Sequence, residues 1–392
     1  MPTPPARRAT LPLGALYALL YGMQFLFITY LPIYYGELHF TSWQIGVLTA
    51  VGFAVTIGAQ GLWGVLSDRS RSKNQVLALL VAGTALVSLG LFFPQFHSFP
   101  FFLLLLSALY FFMKPILSMT EAMALEAQEM GLTDYGRVRA VGSFAYAGVG
   151  LALAALPGLP VTAVFGAFTA SVALAFLPLR FFPVLPGRQH HGPRAPVWPL
   201  LRNRRLLPVL VYGFFLYWLL NYRLTFFPVY FTNTLGYPKA LITFYTAAMM
   251  LVQVPVLAMA RRWLGRVNLY PVLLLAGVLM LAGYVASLAT TNQFLLVLVN
   301  LFHSLSSVLL SYCGAVFVNA NVPPEQASTG QGLWAAVTGG LGPVVGSLVG
   351  GVIGSALGGV RQGFVFCLIL SALVVAVFAF VFRGKSLRLE HD

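Results

Sequence analysis

Acidic residues are scarce in this chain. Aspartate and glutamate total 9 against 23 lysines and arginines, and charged residues of both signs reach only 8%. Soluble domains carry roughly a quarter charged residues, so a surface fit for water is missing and a soluble enzyme is excluded. Cysteine is nearly absent. Cys313 and Cys367 both sit in apolar runs, which excludes a disulfide scaffold and leaves two small core side chains. No HExxH, no Cys/His metal spacing, no Walker-type loop and no GxSxG element occurs. An enzyme and an ATP-driven pump therefore lack their chemistry, and neither a cofactor nor a metal is expected.

Apolar sequence is abundant instead: 59% of residues are hydrophobic, 14% are aromatic, and the mean hydropathy is +0.85. A helix crosses the apolar core of a bilayer in about 20 residues. Apolar runs fall near 12–35, 43–66, 75–93, 99–127, 139–157 and 160–182, then near 206–231, 240–260, 269–289, 293–320, 327–357 and 362–382. The expected architecture is an all-α membrane protein with twelve transmembrane helices in two six-helix bundles. Residues 1–182 form the first bundle, 183–205 a cytoplasmic linker, and 206–392 the second bundle with a short cytoplasmic tail. The first run follows Arg7 and Arg8 and is too long for a signal-peptide core, so it reads as a retained span.

The basic residues sort to one side. Nineteen lie in the tails and alternate loops on the side of the N-terminus, and only Lys239 and Arg361 lie opposite. This bias places both termini in the cytoplasm of a multi-pass protein of the cell (inner) membrane. It also accounts for the net charge of +14 without any nucleic-acid partner.

Between the second and third spans stands Gly64-Val65-Leu66-Ser67-Asp68-Arg69-Ser70-Arg71-Ser72-Lys73. Glycine lets helices approach closely, Asp68 offers an anion to a basic residue or a helix N-terminus, and the basic cluster suits anionic headgroups. The segment resembles the GxLaDrxGrk loop of the major facilitator superfamily, which implies gating roles for Gly64, Asp68 and Arg69. The matching loop of the second half, Arg261-Arg262-Trp263-Leu264-Gly265-Arg266, has no acid.

A second resemblance concerns spans four and five. Glu121 and Arg139 stand eighteen residues apart, with Gly136-Arg137-Val138-Arg139 opening the fifth span. This is similar to the lactose permease branch of the superfamily, where such a Glu and Arg bind substrate. The resemblance implies a stacking role for Tyr146 and places His303 where the branch has a coupling histidine. Ser306 stands where that branch has a proton-carrying Glu. The segment Val322-Pro323-Pro324-Glu325 … Gly330-Gln331-Gly332-Leu333-Trp334 … Gly339-Gly340-Leu341-Gly342 resembles the nucleoside and phenylpropionate permeases.

Ionisable groups within a bilayer are costly and mark functional sites. Lys114, Glu121 and Arg139 lie in the first half, Arg223 and His303 in the second, with Glu126 near the cytoplasmic end of span four. Lys114 and Glu121 share a helix face with Ser118 between them. Competing readings apply to each. Glu121 suits a structural ion pair as well as a substrate or proton site, Arg223 can snorkel or pair with carbonyls, and His303 can be a packing residue. Glu126 reads as structural.

The resulting expectation is a proton-coupled symporter of a small polar organic solute, of sugar or nucleoside type, working by alternating access. Glu121, Arg139, Tyr146, Lys114, Arg223 and His303 are the candidate binding residues, and Glu121 and His303 the candidate proton carriers. The expected partners are the solute, protons and the bilayer, with the protein a monomer. Two alternatives remain: a transporter of an organic anion that uses a net basic cavity, and an exporter by proton antiport.

Overall fold

The computed structural model describes residues 6–93, 98–156, 158–182, 198–264, 268–323 and 326–383, without the side chains of residues 6–9, 68, 198, 199, 250, 251, 254, 257–264, 327 and 328. The expected linker thus lies mostly outside the described residues, as do Lys385 and Arg388 of the tail and Pro324 and Glu325.

Every element is helical among the described residues: α1 (Ala6–Glu37), α2 (Ser42–Arg69), α3 (Lys73–Ser88), α4 (Phe99–Glu129), α5 (Tyr135–Ala154), α6 (Val161–Leu174) and the short α7 (Phe176–Arg180). After the one-turn α8 (Trp198–Leu201) come α9 (Leu206–Val229), α10 (Lys239–Leu264), α11 (Leu269–Ala289), α12 (Gln293–Asn321), α13 (Ala327–Ala336), α14 (Gly342–Ala356) and α15 (Val360–Val381). Helices are what the sequence permits. In hydrocarbon each backbone amide must find its partner within the segment. Interior prolines in α1, α4, α9 and α10 are tolerated on the same terms. Side-chain caps hold three starts: Asp134 accepts from Arg137 N at 3.2 Å, Asn268 from Tyr270 N at 3.1 Å, and Asn292 from Phe294 N at 3.0 Å.

Ten helices among the described residues are long and apolar enough to cross a bilayer. They coincide with ten of the twelve expected runs. The other two runs are built as α5 and α10, which stand outside those ten. Helix α5 opens on Arg137 and Arg139 and carries four glycines, which lowers its hydropathy. Part of α10 lies outside the described side chains.

The chain forms two compact units. One combines Met1–Leu38 with Val51–Gly192, the other His39–Ala50 with Pro193–Asp392. In the first unit α1 packs on α5 and α6, and α3 on α4 and α6. In the second, α9 packs on α14 and α15, and α11 on α12 and α15. The first turns of α2 group with this second unit, and at Gly46 the backbones approach closely. A Cβ on Gly46 would stand 2.5 Å from the Ser347 carbonyl oxygen, and Trp43 N donates to Ser355 Oγ at 3.0 Å.

Cys313 and Cys367 are buried free thiols, as their apolar settings predict.

Candidate substrate-binding site

The first unit holds a cavity of about 260 Å³ lined by α1, α2 and α4. Lys114 and Glu121 both face it, two helical turns apart on α4, and Ser118 lies between them. Gln24 of α1 and Gln60 of α2 supply amides, and Phe27 supplies an apolar wall.

Glu121 is held by a group of three side chains. Its Oε1 accepts from the Tyr21 hydroxyl at 3.1 Å and lies 3.7 Å from Arg139 Nε. The Arg139 guanidinium carbon stands 4.6 Å from the centroid of the Tyr21 ring, a cation–π distance. Tyr17 stacks beneath Tyr21 with centroids 5.9 Å apart. Gly142 makes this arrangement possible, since a Cβ there would meet the Tyr21 ring at 2.8 Å. The carboxylate is one-third exposed and the guanidinium side chain 40% exposed, so the pair is open to a ligand. Arg139 Nη1 is buried without an acceptor among the described residues. One donor of the fork is thereby free.

Lys114 is half-buried, and its Nζ lies 5.1 Å from the Tyr110 ring centroid. No carboxylate among the described residues lies within ion-pair distance of it. Tyr146 is buried, its ring set edge-on to Phe25 with centroids 4.9 Å apart, and it does not line the cavity.

Glu126, expected to be structural, is engaged with Lys73 in an ion pair whose side chains are 15% and 5% exposed. The expectation that Lys73 serves the headgroups therefore gives way: burial at the start of α3 commits it to Glu126.

The second-half candidates lie elsewhere. Arg223 is 2% exposed within the helix packing of the second unit. Its Nε donates to Asn300 Oδ1 at 3.0 Å, its Nη2 to the same oxygen, and its Nη1 to Ser287 Oγ at 3.0 Å. Phe227 covers the guanidinium carbon at 4.2 Å. His303 is fully buried, edge-on to Tyr284 with centroids 5.2 Å apart, and its Nδ1 lies 3.5 Å from the Val299 carbonyl oxygen. His303 Nε2 and Ser306 Oγ are buried without partners among the described residues.

Of the loop residues, Gly64 faces open space, with nothing described within 4 Å of a built Cβ, so the close approach expected there is not made in this structure. Arg69 is exposed, and the Asp68 side chain lies outside the described residues.

Tyr17, Tyr21, Gln24 and Ile28 were not singled out as one group by the sequence, although their spacing of four, three and four is that of a single face of α1. All four sit at the site: Tyr21 on Glu121, Tyr17 on Tyr21, and Gln24 and Ile28 in the cavity lining.

Long apolar helices in two units, one of them holding an acid–base pair beside a polar cavity, define a membrane transporter rather than an enzyme. The chain belongs to the MFS_1 like family, whose profile matches residues 11–366. It is a multi-pass major facilitator transporter that binds a small-molecule substrate and works in a lipid bilayer. Among curated relatives, the maltose permease of Geobacillus stearothermophilus is 26% identical over 302 residues, covering 76% of this chain and 75% of that one. The uncharacterized transporter YwbF of Bacillus subtilis (strain 168) is 28% identical over 110 residues, and that match spans 28% of this chain and only 27% of the relative. Among solved structures, the nucleoside transporter NupG superposes with a TM-score of 0.83 at 16% identity, covering 96% of this chain and 100% of that one. A D-xylose-proton symporter superposes with a TM-score of 0.67 at 15% identity, covering 97% and 98%. At these identities the solved structures show the fold alone.

Proposed function

We propose that the chain is a proton-coupled symporter whose solute, small, polar and rich in hydroxyls, binds in the first-unit cavity at Glu121 and Arg139. The observation that carries this reading is the half-open Glu121–Arg139–Tyr21 group beside the cavity. In the empty site the two charges offset one another, which lowers the cost of holding them away from water. A solute hydroxyl donates to Glu121 and accepts from Arg139, replacing part of that contact. Protonation of Glu121 releases Arg139 and links the proton to solute binding. The maltose permease and the D-xylose-proton symporter, by their names, handle sugars, in keeping with this chemistry.

In this proposal Arg223 and His303 hold the second unit together and do not touch the solute, and Tyr146 supports the site through Phe25. Asp68 and Arg69 act at the cytoplasmic end of α2 as a one-sided lock, with both termini in the cytoplasm, in a monomer of the cell membrane. The test is uptake into proteoliposomes. Accumulation above equilibrium only under an inward proton gradient supports symport; equal uptake with and without that gradient overturns it.

A further inference from the structure

The charges of the first unit do not balance at the cavity. Of its acids, Glu126 is committed to Lys73, Asp134 to Arg137 and the start of α5, and Glu121 to Arg139 and Tyr21. Glu37 and Glu129 are exposed at helix ends. Asp68 closes α2 about 12 Å along the helix from Gln60, eight residues on. Lys114 faces the cavity with an aromatic ring beside it and, among the described residues, no carboxylate within ion-pair distance. An ammonium in that setting is costly once the cavity closes around a neutral solute, because nothing replaces the water that solvates it. A solute that brings its own negative charge removes that cost. The sequence has no acid between Asp134 and Glu325, so none of α6 to α12 brings one.

The cavity also sets a size and a polarity. At about 260 Å³ it falls below the roughly 300 Å³ where pockets for drug-sized ligands begin, so the ligand is small. Lys114 and Glu121 are separated by about 10 Å of helix rise, which places a cation at one end and a hydroxyl acceptor at the other. Gln24 and Gln60 make no side-chain hydrogen bond to another described residue and so have both donors and acceptors to offer. Phe27 and the aliphatic lining fit a C–H face.

We infer that the solute is a polyhydroxy monocarboxylate of monosaccharide size or smaller, a sugar acid in chemical terms, with its carboxylate on Lys114 and its hydroxyls toward Gln24, Gln60 and Glu121. The inference rests on the reading that this cavity holds the solute. It adds the sign of the solute charge and the residue that selects it. A monoanion carried with one proton crosses without net charge, so its uphill transport follows the pH gradient and ignores the membrane potential.

The test uses the purified full chain and paired probes: glucose with glucuronate, galactose with galacturonate, and glycerol with glycerate. Ligand-induced thermal stabilisation is titrated for the wild type, Lys114→Gln and Lys114→Arg. The expected result is that at least one acid stabilises the wild type and its neutral partner does so at least tenfold more weakly. Lys114→Gln should lose that preference while Lys114→Arg keeps it. No acid binding, a neutral partner binding as tightly as its acid, or a preference that survives in Lys114→Gln overturns the inference. Should Lys114→Gln fail to fold, retention of acid preference in Lys114→Arg but not in Lys114→Met decides in the same way. The coupling proposal fails separately, through undiminished uphill transport by Glu121→Gln, whatever the charge of the solute.

Discussion

Arg223 and Asn300 form a closed donor–acceptor unit: the guanidinium Nε and Nη2 both donate to Asn300 Oδ1, and Asn300 Nδ2 in turn donates to the Leu296 carbonyl oxygen at 2.6 Å. A cation 2% exposed is thereby held by neutral groups alone among the described residues. The sequence offers Arg223 as a candidate binding residue, but its donors are already turned inward to α11 and α12. Asn300→Leu keeps the volume and strands the guanidinium, which should cost about 3 kcal/mol of stability in thermal unfolding. Asn300→Asp should retain stability, because it supplies an acceptor and a counter-charge. If Arg223 instead binds solute, Arg223→Gln will impair charged solutes while sparing their neutral partners; equal losses for both are expected here.

The Lys73–Glu126 pair joins the first turn of α3 to the end of α4. Glu126→Gln leaves a nearly buried ammonium and should destabilise the protein by about 3 kcal/mol. The double variant Lys73→Met with Glu126→Leu should recover most of that loss, since no unpaired charge remains. Solute affinity should stay unchanged throughout, which distinguishes this acid from Glu121. A double-mutant cycle read by thermal unfolding checks the coupling.

The sequence made the fold legible because a bilayer leaves few choices: length, apolarity and the placement of arginines identify spans without knowledge of packing. Ten runs appear as helices long and apolar enough to cross, and of the two exceptions α5 has a readable reason, since it opens on charged residues, one of which, Arg139, pairs with Glu121. The site was legible in part. Spacing brought out Glu121, Arg139 and Lys114 because charge within an apolar run is conspicuous. Tyr21 is undecided in the sequence, because a tyrosine in such a helix can line a cavity or simply bridge helices, and only the fold places its hydroxyl on Glu121. Nor does linear sequence tell a buried arginine with neutral partners from one that lines a cavity. Arg223 and Lys114 look alike until Asn300 and Ser287 are seen around the first.

Close helix contact in the second unit should be sensitive to any added side chain. The Cα of Gly351 lies 2.9 Å from a Cβ built on Gly46, and backbone cannot yield as a flexible side chain does. Gly46→Val and Gly351→Val should therefore lower stability or transport sharply. Gly64→Ala should be nearly neutral, having nothing described within 4 Å. Transport by all three variants at matched expression checks the ranking. A larger loss at Gly64 than at Gly46 would show that the end of α2 enters a tight contact in another state of the cycle.

The Glu121–Arg139–Tyr21 group gives the most discriminating experiment, because each member contributes something different. Glu121→Gln mimics the protonated acid, so it should retain solute binding and lose accumulation driven by a pH gradient. Arg139→Lys keeps the charge but not the planar fork over Tyr21, and should weaken binding about tenfold or more. Tyr21→Phe removes the hydroxyl that Glu121 accepts from and leaves the ring under the guanidinium. It should change the pH dependence of transport without abolishing solute binding, because the carboxylate loses one of its two contacts and keeps Arg139. Gly142→Ala, by pressing a methyl group on the Tyr21 ring, should disturb both contacts together. Glu121→Gln combined with Arg139→Gln leaves no unpaired charge and should fold and insert normally, without uphill transport. Binding affinity measured across pH for the two single variants and the double variant forms the decisive cycle. Strong non-additivity identifies the pair as the place where proton and solute meet. Additive losses would mean that the two residues act independently, and the coupling group would then have to be sought outside the cavity of the first unit.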